Sequence, residues 1–354
     1  MPGDDVQQFA PKTEESRTSA QDTRVDVLVL TARKDELDGV LALDLGWTKA
    51  QDARGFPYHG CKFGNGLVVA AAWIGEMGQT SAMSRGKDLV RELSPECLAM
   101  CGICAGDPEQ VALGDLVVAD RLWPYDEGKQ VEGKFSHSMK MFHIKRTWGM
   151  NAAYAEDWLD LKDLAKDRPP AKEVQLQWLL LAVYAQQFEN GQPVDKRPDR
   201  KVCCPAFADI VKAAKTEQLV LLQGGSISLT DAGKERVEEF RFLHPDGPPS
   251  DKGHCIHIGA MATGSAVVKD ATVWSRLRGV VRETMALDME GAAIAQLAAE
   301  EEKLFLVVKA VQDYANLQKD DTYRKFGCCS SAKFLLAFLE KHLPPRRTAK
   351  DPSP

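Results

Sequence analysis

The sequence predicts an α/β fold, in which helices sandwich a mainly parallel sheet and a helical segment is inserted into the chain. Two patterns lead to this prediction. Short continuous apolar runs, bounded by glycine, proline or charged residues, have the character of strands that are buried on both faces. Stretches with apolar residues at helical spacing separate these runs, and such an alternation is typical of a parallel sheet covered by helices.

Apolar runs are predicted as strands at residues 25–30, 67–73, 97–103, 115–120 and 304–311. A helix is predicted between the second and third runs, because the apolar residues from Ala82 to Leu93 form one stripe. A second stripe begins at Met289 and leads directly into the last run. A third stripe, from Phe334 to Leu339, predicts a closing helix.

The pattern divides the chain into a domain, an insertion and two tails. Residues 25–149 and 254–343 are predicted to form one α/β domain, and residues 150–253 are predicted to be an insertion. Residues 1–24 and 344–354 are polar and contain proline, so they have too little apolar surface to offset the entropy of ordering them. Both ends are therefore predicted to be loose.

The second half of the insertion has its own order of elements. After Pro205 the sequence predicts a helix, a strand, a turn at Gly224 and Gly225, a second strand and a helix that begins near Thr230. This order resembles a winged helix. Such a unit can extend an interface, contact a partner or another subunit, or bind nucleic acid. Glutamates interleave with its basic residues, which makes nucleic-acid binding the least favoured of these roles.

Composition and charge exclude several classes of protein. The chain has 354 residues, of which 44% are hydrophobic and 27% are charged, as expected for a folded protein. A net charge of −6 argues against a broad nucleic-acid surface. No apolar run approaches the roughly 20 residues that cross a bilayer. The polar N-terminal segment and nine cysteines, an odd number that suits free thiols, predict a cytoplasmic protein.

A loop rich in small residues follows the third predicted strand. Ala105 and Gly106 would let a ligand approach the backbone, although glycine-rich loops after strands are also common without a ligand. Cys101 and Cys104 in the same segment have the spacing of a metal-binding pair. No second pair of cysteines or histidines lies at zinc spacing, so we interpret them as packed thiols and predict no metal.

Acidic residues stand where other predicted strands end. Asp288 and Glu290 begin a helix, where they could simply complement the helix dipole, or where Glu290 could accept hydrogen bonds from a ribose diol. Asp313 follows the last apolar run and is either a solvated turn residue or a general acid. Glu36 lies in the first turn after the first strand, a position where acids are common.

Taken together, these motifs resemble the purine nucleoside phosphorylase and uridine phosphorylase superfamily. The most specific pieces are the sequence GDLVVAD, which starts at Gly114, and the sequence DME, which starts at Asp288. The resemblance covers about residues 25–130 and 254–343. Within the superfamily it is greatest to the nucleosidase branch, which hydrolyses methylthioadenosine and S-adenosylhomocysteine. The resemblance implies a phosphorylase-like sheet sandwiched by helices and an enzyme without metal or organic cofactor.

The resemblance also implies roles for individual residues. Asp313 matches the acid that protonates N7 of the purine, and Glu36 matches the acid that activates water. Met289 and Glu290 match the pair that binds ribose, with Asp288 beside them. The other matches are Ala105 and Gly106 beside the sugar and the segment 262–267, which includes Val267, along the base. A homo-oligomer is also implied, because pockets of this family are commonly completed by a neighbouring subunit.

Three departures from the nucleosidase pattern bear on the substrate. Ile103 replaces a serine, Val267 replaces an aromatic residue that often lies under the base, and Lys309 replaces an arginine. Arg33, its neighbour Lys34 and Lys309 either belong to a solvated face or hold a phosphorylated substrate.

The similarity of the domain to immune effectors that cleave adenine from ATP makes a purine nucleotide the expected substrate class, in an antiphage role. A methylthioadenosine nucleosidase, a phosphate-dependent phosphorylase and a catalytically inactive sensor are the alternatives.

Overall fold

The computed structural model describes residues 24–132, 134–245, 254–270, 272–316 and 321–346. Most of the two predicted tails lies outside these residues. The first part of the chain contains β1 (Val27–Thr31), α1 (Lys34–Leu41), β2 (Thr48–Gln51), β3 (Pro57–Lys62), β4 (Val68–Trp73), α2 (Gln79–Leu93), β5 (Cys97–Gly106), β6 (Leu116–Pro124), β7 (Gly128–Val131), β8 (Lys134–His137) and β9 (Phe142–His143).

The middle part contains α3 (Arg146–Ala153), α4 (Leu161–Ala165), α5 (Lys172–Phe188), α6 (Arg200–Cys203), α7 (Phe207–Thr216), β10 (Val220–Gln223), β11 (Ser226–Leu229) and α8 (Asp231–Leu243). The last part contains β12 (Ile256–Thr263), α9 (Val273–Val280), β13 (Thr284–Asp288), α10 (Gly291–Glu300), β14 (Leu304–Asp313) and α11 (Arg324–His342).

The central sheet has the order β13-β12-β6-β14-β5-β1-β4-β3-β2, with β9 beside β6. β13 also pairs with the end of β5, so the strands β13, β12, β6, β14 and β5 form a closed ring of pairings. Helices α1 and α11 pack against each other, as do α2 and α10, and both pairs contact the sheet. The predicted sandwich of helices around a sheet is thereby confirmed.

The sheet is less parallel than the sequence pattern predicts. The pairs β1–β4, β1–β5, β5–β14, β6–β12 and β12–β13 are parallel. The pair β14–β6 and the edge formed by β2 and β3 are antiparallel. The apolar runs identify the buried strands β1, β4, β5, β6 and β14, but strand direction depends on connections that such runs do not encode.

The winged-helix-like segment forms as predicted, in the order α7, β10, β11 and α8. Gly224 and Gly225 take positive φ values of 57° and 78° in the hairpin turn. The Oγ1 of Thr230 caps α8 by accepting a hydrogen bond of 3.0 Å from the Gly233 N–H. Together with α5, these elements enclose a hydrophobic cluster separate from that of the sheet, with Leu180 and Val237 fully buried.

The residues just before α5 belong with the main core. Trp148 and Leu164 are buried in the same cluster as the sheet. The ring of Trp148 also meets that of Phe338 edge to face at 5.7 Å. The exact boundary of the insertion, placed at residue 150 from the sequence, stays a prediction.

Two further features bear on the class of protein. Within the described parts of the chain, no helix is both long and apolar enough to cross a membrane. All nine cysteines are free thiols, and six of them are buried. Cys101 and Cys104, which have the spacing of a metal pair, are among the buried ones.

Candidate active site

A cavity of about 140 Å³ lies where β1, β5, β13 and β14 end. The carboxyl ends of strands in an α/β sheet are a common place for a ligand. Most of the predicted site residues lie along its wall: Arg33, Glu36, Ala105, Val267, Asp288, Met289, Glu290 and Asp313. The sheet brings them together because Asp288 ends β13, Asp313 ends β14 and Ala105 lies between these strands in register.

Glu36 is held in one orientation by the backbone. Its Oε2 accepts hydrogen bonds from the N–H groups of Ala32 at 2.9 Å and Arg33 at 3.0 Å, and its Oε1 accepts one from Ile103 at 2.9 Å. Glu36 is only 1% exposed. Three donors to one carboxylate fix its position relative to the cavity and compensate for its burial.

Gly102 makes room for this carboxylate. Its φ of 148° lies in a region that side chains rarely adopt, and a Cβ at this position would overlap the carboxylate of Glu36. Gly102 lies within β5 and not in a loop, and it serves the placement of Glu36. The sequence had suggested instead that small residues of this segment approach a ligand.

Lys309 lies beneath the cavity and does not form part of its wall. It is 1% exposed, and its Nζ is 3.9 Å from the Oε1 of Glu36 and 3.9 Å from the Oδ2 of Asp288. Burial alone would lower the pKa of Lys309, but the carboxylates of Glu36, Asp288 and Glu290 raise it above the usual value for lysine. Lys309 is thus a buried cation that neutralises carboxylates, and it is too deep to hold a phosphoryl group as the sequence had suggested.

Glu290 and Asp288 are buried carboxylates with different partners. The Oε1 of Glu290 accepts a hydrogen bond of 2.8 Å from the Gly78 N–H. Burial raises the pKa of Glu290 to about 7, with Lys309 opposing the shift and Asp288 adding to it. Asp288 accepts hydrogen bonds from the Oγ1 of Thr263 at 2.7 Å and from the Gly291 N–H at 2.8 Å. Asp288 therefore ties β12 to the start of α10.

Asp313 is half-buried at the end of β14. Its Oδ1 accepts a hydrogen bond of 2.9 Å from the Ala315 N–H, and Ala315 itself has a φ of 56° in the turn that follows. An irregularity in the pairing of β14 with β5 lies between Val311 and Asp313, so that Asp313 is opposite Ala105. This turn aligns the carboxyl group with the wall of the cavity.

Apolar groups form another part of the wall, namely Ala266, Val267, Val268, Ile103 and Leu287. Gly106, predicted beside the sugar, does not form part of the wall. A Cβ on Gly106 would overlap the side chains of Val111 and Val311, so this glycine permits close packing behind the cavity.

Sequence reasoning missed Met77, Gln312 and Arg324, which also line the cavity. Arg324 is the first residue of α11, and Lys325 follows it. Positive charges at the start of a helix oppose its dipole, but the sequence pattern predicts only the later part of this helix, so the anomaly becomes visible only in the structure. No comparable signal marks Met77.

Among the described residues, one cluster outside the cavity has the composition of a metal site. Asp115, Cys255 and His257 place possible ligand atoms within 4.8 Å of one another. The carboxylate of Asp115, however, already accepts hydrogen bonds from the N–H groups of Ala112 and Cys255 and contacts the Nε2 of His257 at 2.8 Å. Arg168, 3.5 Å away, adds a positive charge. We interpret the cluster as a structural network that joins β6 to β12.

Residues 26–339 match the family described as the phosphorylase superfamily. The match covers most of the chain, including the sheet, the cavity and the middle segment. The chain belongs to the phosphorylase superfamily. The membership confirms the resemblance to the superfamily that the motifs GDLVVAD and DME carry.

Solved structures of nucleosidases have the same fold as this superfamily member. S-adenosylhomocysteine nucleosidase from Streptococcus pyogenes is 17% identical, with a TM-score of 0.53, over 90% of this chain and 98% of the other. Futalosine hydrolase from Helicobacter pylori is 12% identical, with a TM-score of 0.54, over 90% and 98% of the two chains. At these identities the likeness establishes the fold.

A curated relative extends beyond this chain. The uncharacterized protein y4jS from Sinorhizobium fredii is 22% identical over 284 residues, which are 79% of this chain and 51% of the relative. The chain thus spans about half the length of that relative.

Proposed function

We propose that the protein hydrolyses the N-glycosidic bond of a purine nucleoside or nucleotide and releases the free base, with adenine as the expected base. The observation that carries this proposal is the meeting of Glu36, Glu290 and Asp313 at one cavity. Cleavage of a glycosidic bond needs an acid for the leaving group and a base for water, and two carboxyl groups on one cavity meet that need.

In the proposed reaction the bond between C1′ and N9 breaks as its electron pair moves into the purine. Asp313 donates a proton to N7, so that the base leaves as a neutral molecule. Glu36 takes a proton from water while the water oxygen bonds to C1′, which carries positive charge in the transition state. Each proton transfer contributes about 10²- to 10⁴-fold to the rate.

The neighbouring acids position the sugar in this proposal. Glu290 accepts hydrogen bonds from the ribose hydroxyls, while Met289 packs beside the ring. Lys309 lies beneath the cavity wall, where it balances the charges of Glu36 and Asp288. The apolar wall around Val267 receives the base, and Ala105 lies beside the sugar.

The direct test is the release of free base from adenosine, methylthioadenosine, AMP and ATP in phosphate-free buffer, followed by chromatography. Hydrolysis predicts base release without phosphate, whereas a phosphorylase would act only after phosphate is added. A purine sensor without catalysis would release no base from any of the four. The variant Asp313→Asn is the control for contaminating enzymes, since it should retain the fold and lose most of the turnover.

The cellular role that we propose is depletion of ATP or related nucleotides during antiphage defence. The support is the additional winged-helix-like segment, since a salvage enzyme has no evident need for a second hydrophobic cluster. Expression of the active protein in bacteria should lower ATP and raise adenine during phage infection, and the Asp313→Asn variant should not. A methylthioadenosine nucleosidase would leave ATP unchanged.

We also propose that the protein is a cytoplasmic homo-oligomer. Phe56, Trp73 and Met77 are among the exposed large apolar side chains, and Met77 lies at the cavity itself. Burial of this surface against another subunit would complete the cavity wall. Light scattering should then give a mass at least twice 39.0 kDa, the mass of one chain.

A further inference from the structure

We propose that Arg33 and Arg324 form an anion subsite in this cavity, which selects substrates with a phosphoryl group on the ribose over uncharged nucleosides. The proposal rests on the proposed function, because it assigns a substrate class to the same cavity. Arg33 precedes α1 and Arg324 begins α11, and both line the cavity wall.

The two guanidinium groups converge on a single carboxylate. The Nη2 of Arg33 is 2.9 Å from the Oδ2 of Asp35, and the Nε of Arg324 is 3.9 Å from the same oxygen. Both distances are measured to the Oδ2 of Asp35, so the two guanidinium groups lie next to the same oxygen atom. Asp35 holds them near each other, in an arrangement that a phosphoryl group with several acceptor oxygens can bridge.

Arg324 has an unused donor in this arrangement. One of its terminal nitrogens contacts Asp321, which anchors the side chain. Its Nε is buried and makes no hydrogen bond with any residue that the structure describes. A buried donor without a partner is costly, and an anion in the cavity would remove that cost.

Lys309 is too deeply buried to contact an anion in the cavity, so Arg33 and Arg324 would have to bind it. Lys309 is neutralised by Glu36 and Asp288 and does not reach the cavity surface. Arg33 immediately precedes α1, and Glu36 lies in the first turn of the same helix, so the subsite and Glu36 are parts of one local segment. An uncharged methylthio substituent placed there would desolvate two guanidinium groups without any acceptor in return.

Space beyond the subsite allows more than one phosphoryl group. A groove of about 480 Å³ shares Ala32, Arg33 and Met77 with the cavity, and the rest of its lining consists of Lys34, Asp35, Asp38, Trp73 and Gly75. The proposal therefore includes nucleoside monophosphates, and the volume of the groove leaves space for the longer phosphate chain of a triphosphate.

The test compares Arg324→Met and Arg33→Met with the wild-type protein on AMP, ATP, adenosine and methylthioadenosine. Each substitution should lower kcat/KM for the nucleotides by about 10- to 100-fold, as expected for loss of charged hydrogen bonds. The kcat/KM for adenosine and methylthioadenosine should change by less than about 3-fold. Arg236→Met, which removes an exposed arginine of α8 paired with Glu239, is the matched control. It should change kcat/KM for neither the nucleotides nor the nucleosides.

An equal loss on all four substrates would overturn the proposal, since it would assign the arginines a purely structural role. A wild-type preference for methylthioadenosine over AMP would overturn it as well. If the wild-type protein releases no base from any substrate, the proposed function fails, and calorimetric binding of AMP and adenosine to Asp313→Asn still decides the subsite. AMP should bind at least about 10-fold more tightly than adenosine, and equal affinities would contradict the inference.

Discussion

At the scale of single residues, the cavity shows how the environment gives three carboxyl groups different properties. Glu36 is compensated by three backbone N–H groups and the cation of Lys309, whereas Glu290 has one backbone donor and a raised pKa. Asp313 lies at a strand end and is only half-buried. When neighbouring carboxyl groups lie in different environments, one commonly acts as a general acid and another as a general base.

Removal of the buried cation should destabilise the protein strongly. Lys309→Met would leave Glu36 and Asp288 buried without their counter-charge, and the free energy of unfolding should fall by about 3–5 kcal/mol. Lys87→Met, which breaks a surface ion pair with Glu300, should cost less than about 1 kcal/mol. Urea denaturation of both variants measures the difference, and equal losses would contradict the role of Lys309.

The raised pKa of Glu290 should appear as a dependence of stability on pH. A carboxyl group with a pKa of about 7 when folded and 4.5 when unfolded contributes stability below pH 4.5 and loses it as pH rises through 7. Glu290→Gln does not titrate and keeps an acceptor for the Gly78 N–H. The variant should therefore gain stability relative to the wild type between pH 5 and pH 8, by up to about 3 kcal/mol. If the difference in stability between Glu290→Gln and the wild type stayed constant with pH, the raised pKa of Glu290 would be excluded.

At the scale of elements, the sequence predicts the positions of acids better than their surroundings. An apolar run that continues into Asp313 indicates a buried strand with an acid at its tip, and β14 has this form. The same run contains Lys309, but nothing in the sequence shows that two carboxylates from β13 and α1 meet it there. These carboxylates reach Lys309 only because the strands close into a ring, and the apolar runs in the sequence do not specify that closure.

The packing of β5 against Glu36 can be tested at Gly102, because the strand lies so close to the Glu36 carboxylate that position 102 has no space for a side chain. Gly102→Ala should cost about 1–3 kcal/mol in backbone strain. It should also displace Glu36 and lower the rate of base release by about 100-fold. Gly64→Ala is the control, since a Cβ at Gly64 meets no atom within 4 Å. Full activity of Gly102→Ala would show that the position of Glu36 is not critical.

At the scale of the whole molecule, the chain combines a superfamily sheet with a segment that has its own hydrophobic cluster. Its fold class and the order α7, β10, β11 and α8 could be predicted from apolar spacing and turn residues. Most of the residues that the motifs predict for the candidate site line one cavity, because the strand ends that carry them converge. Arg324 could not be assigned to the cavity, since its place depends on how α11 packs across β5 and β14.

The proposed acid role of Asp313 is the central claim, and substrates with different leaving groups test it most directly. Adenosine needs a proton at N7 to leave, whereas p-nitrophenyl β-riboside has a leaving group that departs as a stable anion. Asp313→Asn should therefore lose about 10²- to 10⁴-fold in kcat on adenosine or AMP and far less on the p-nitrophenyl substrate. Glu36→Gln should lose activity on both. Unchanged cleavage of adenosine and AMP by Asp313→Asn would contradict the account.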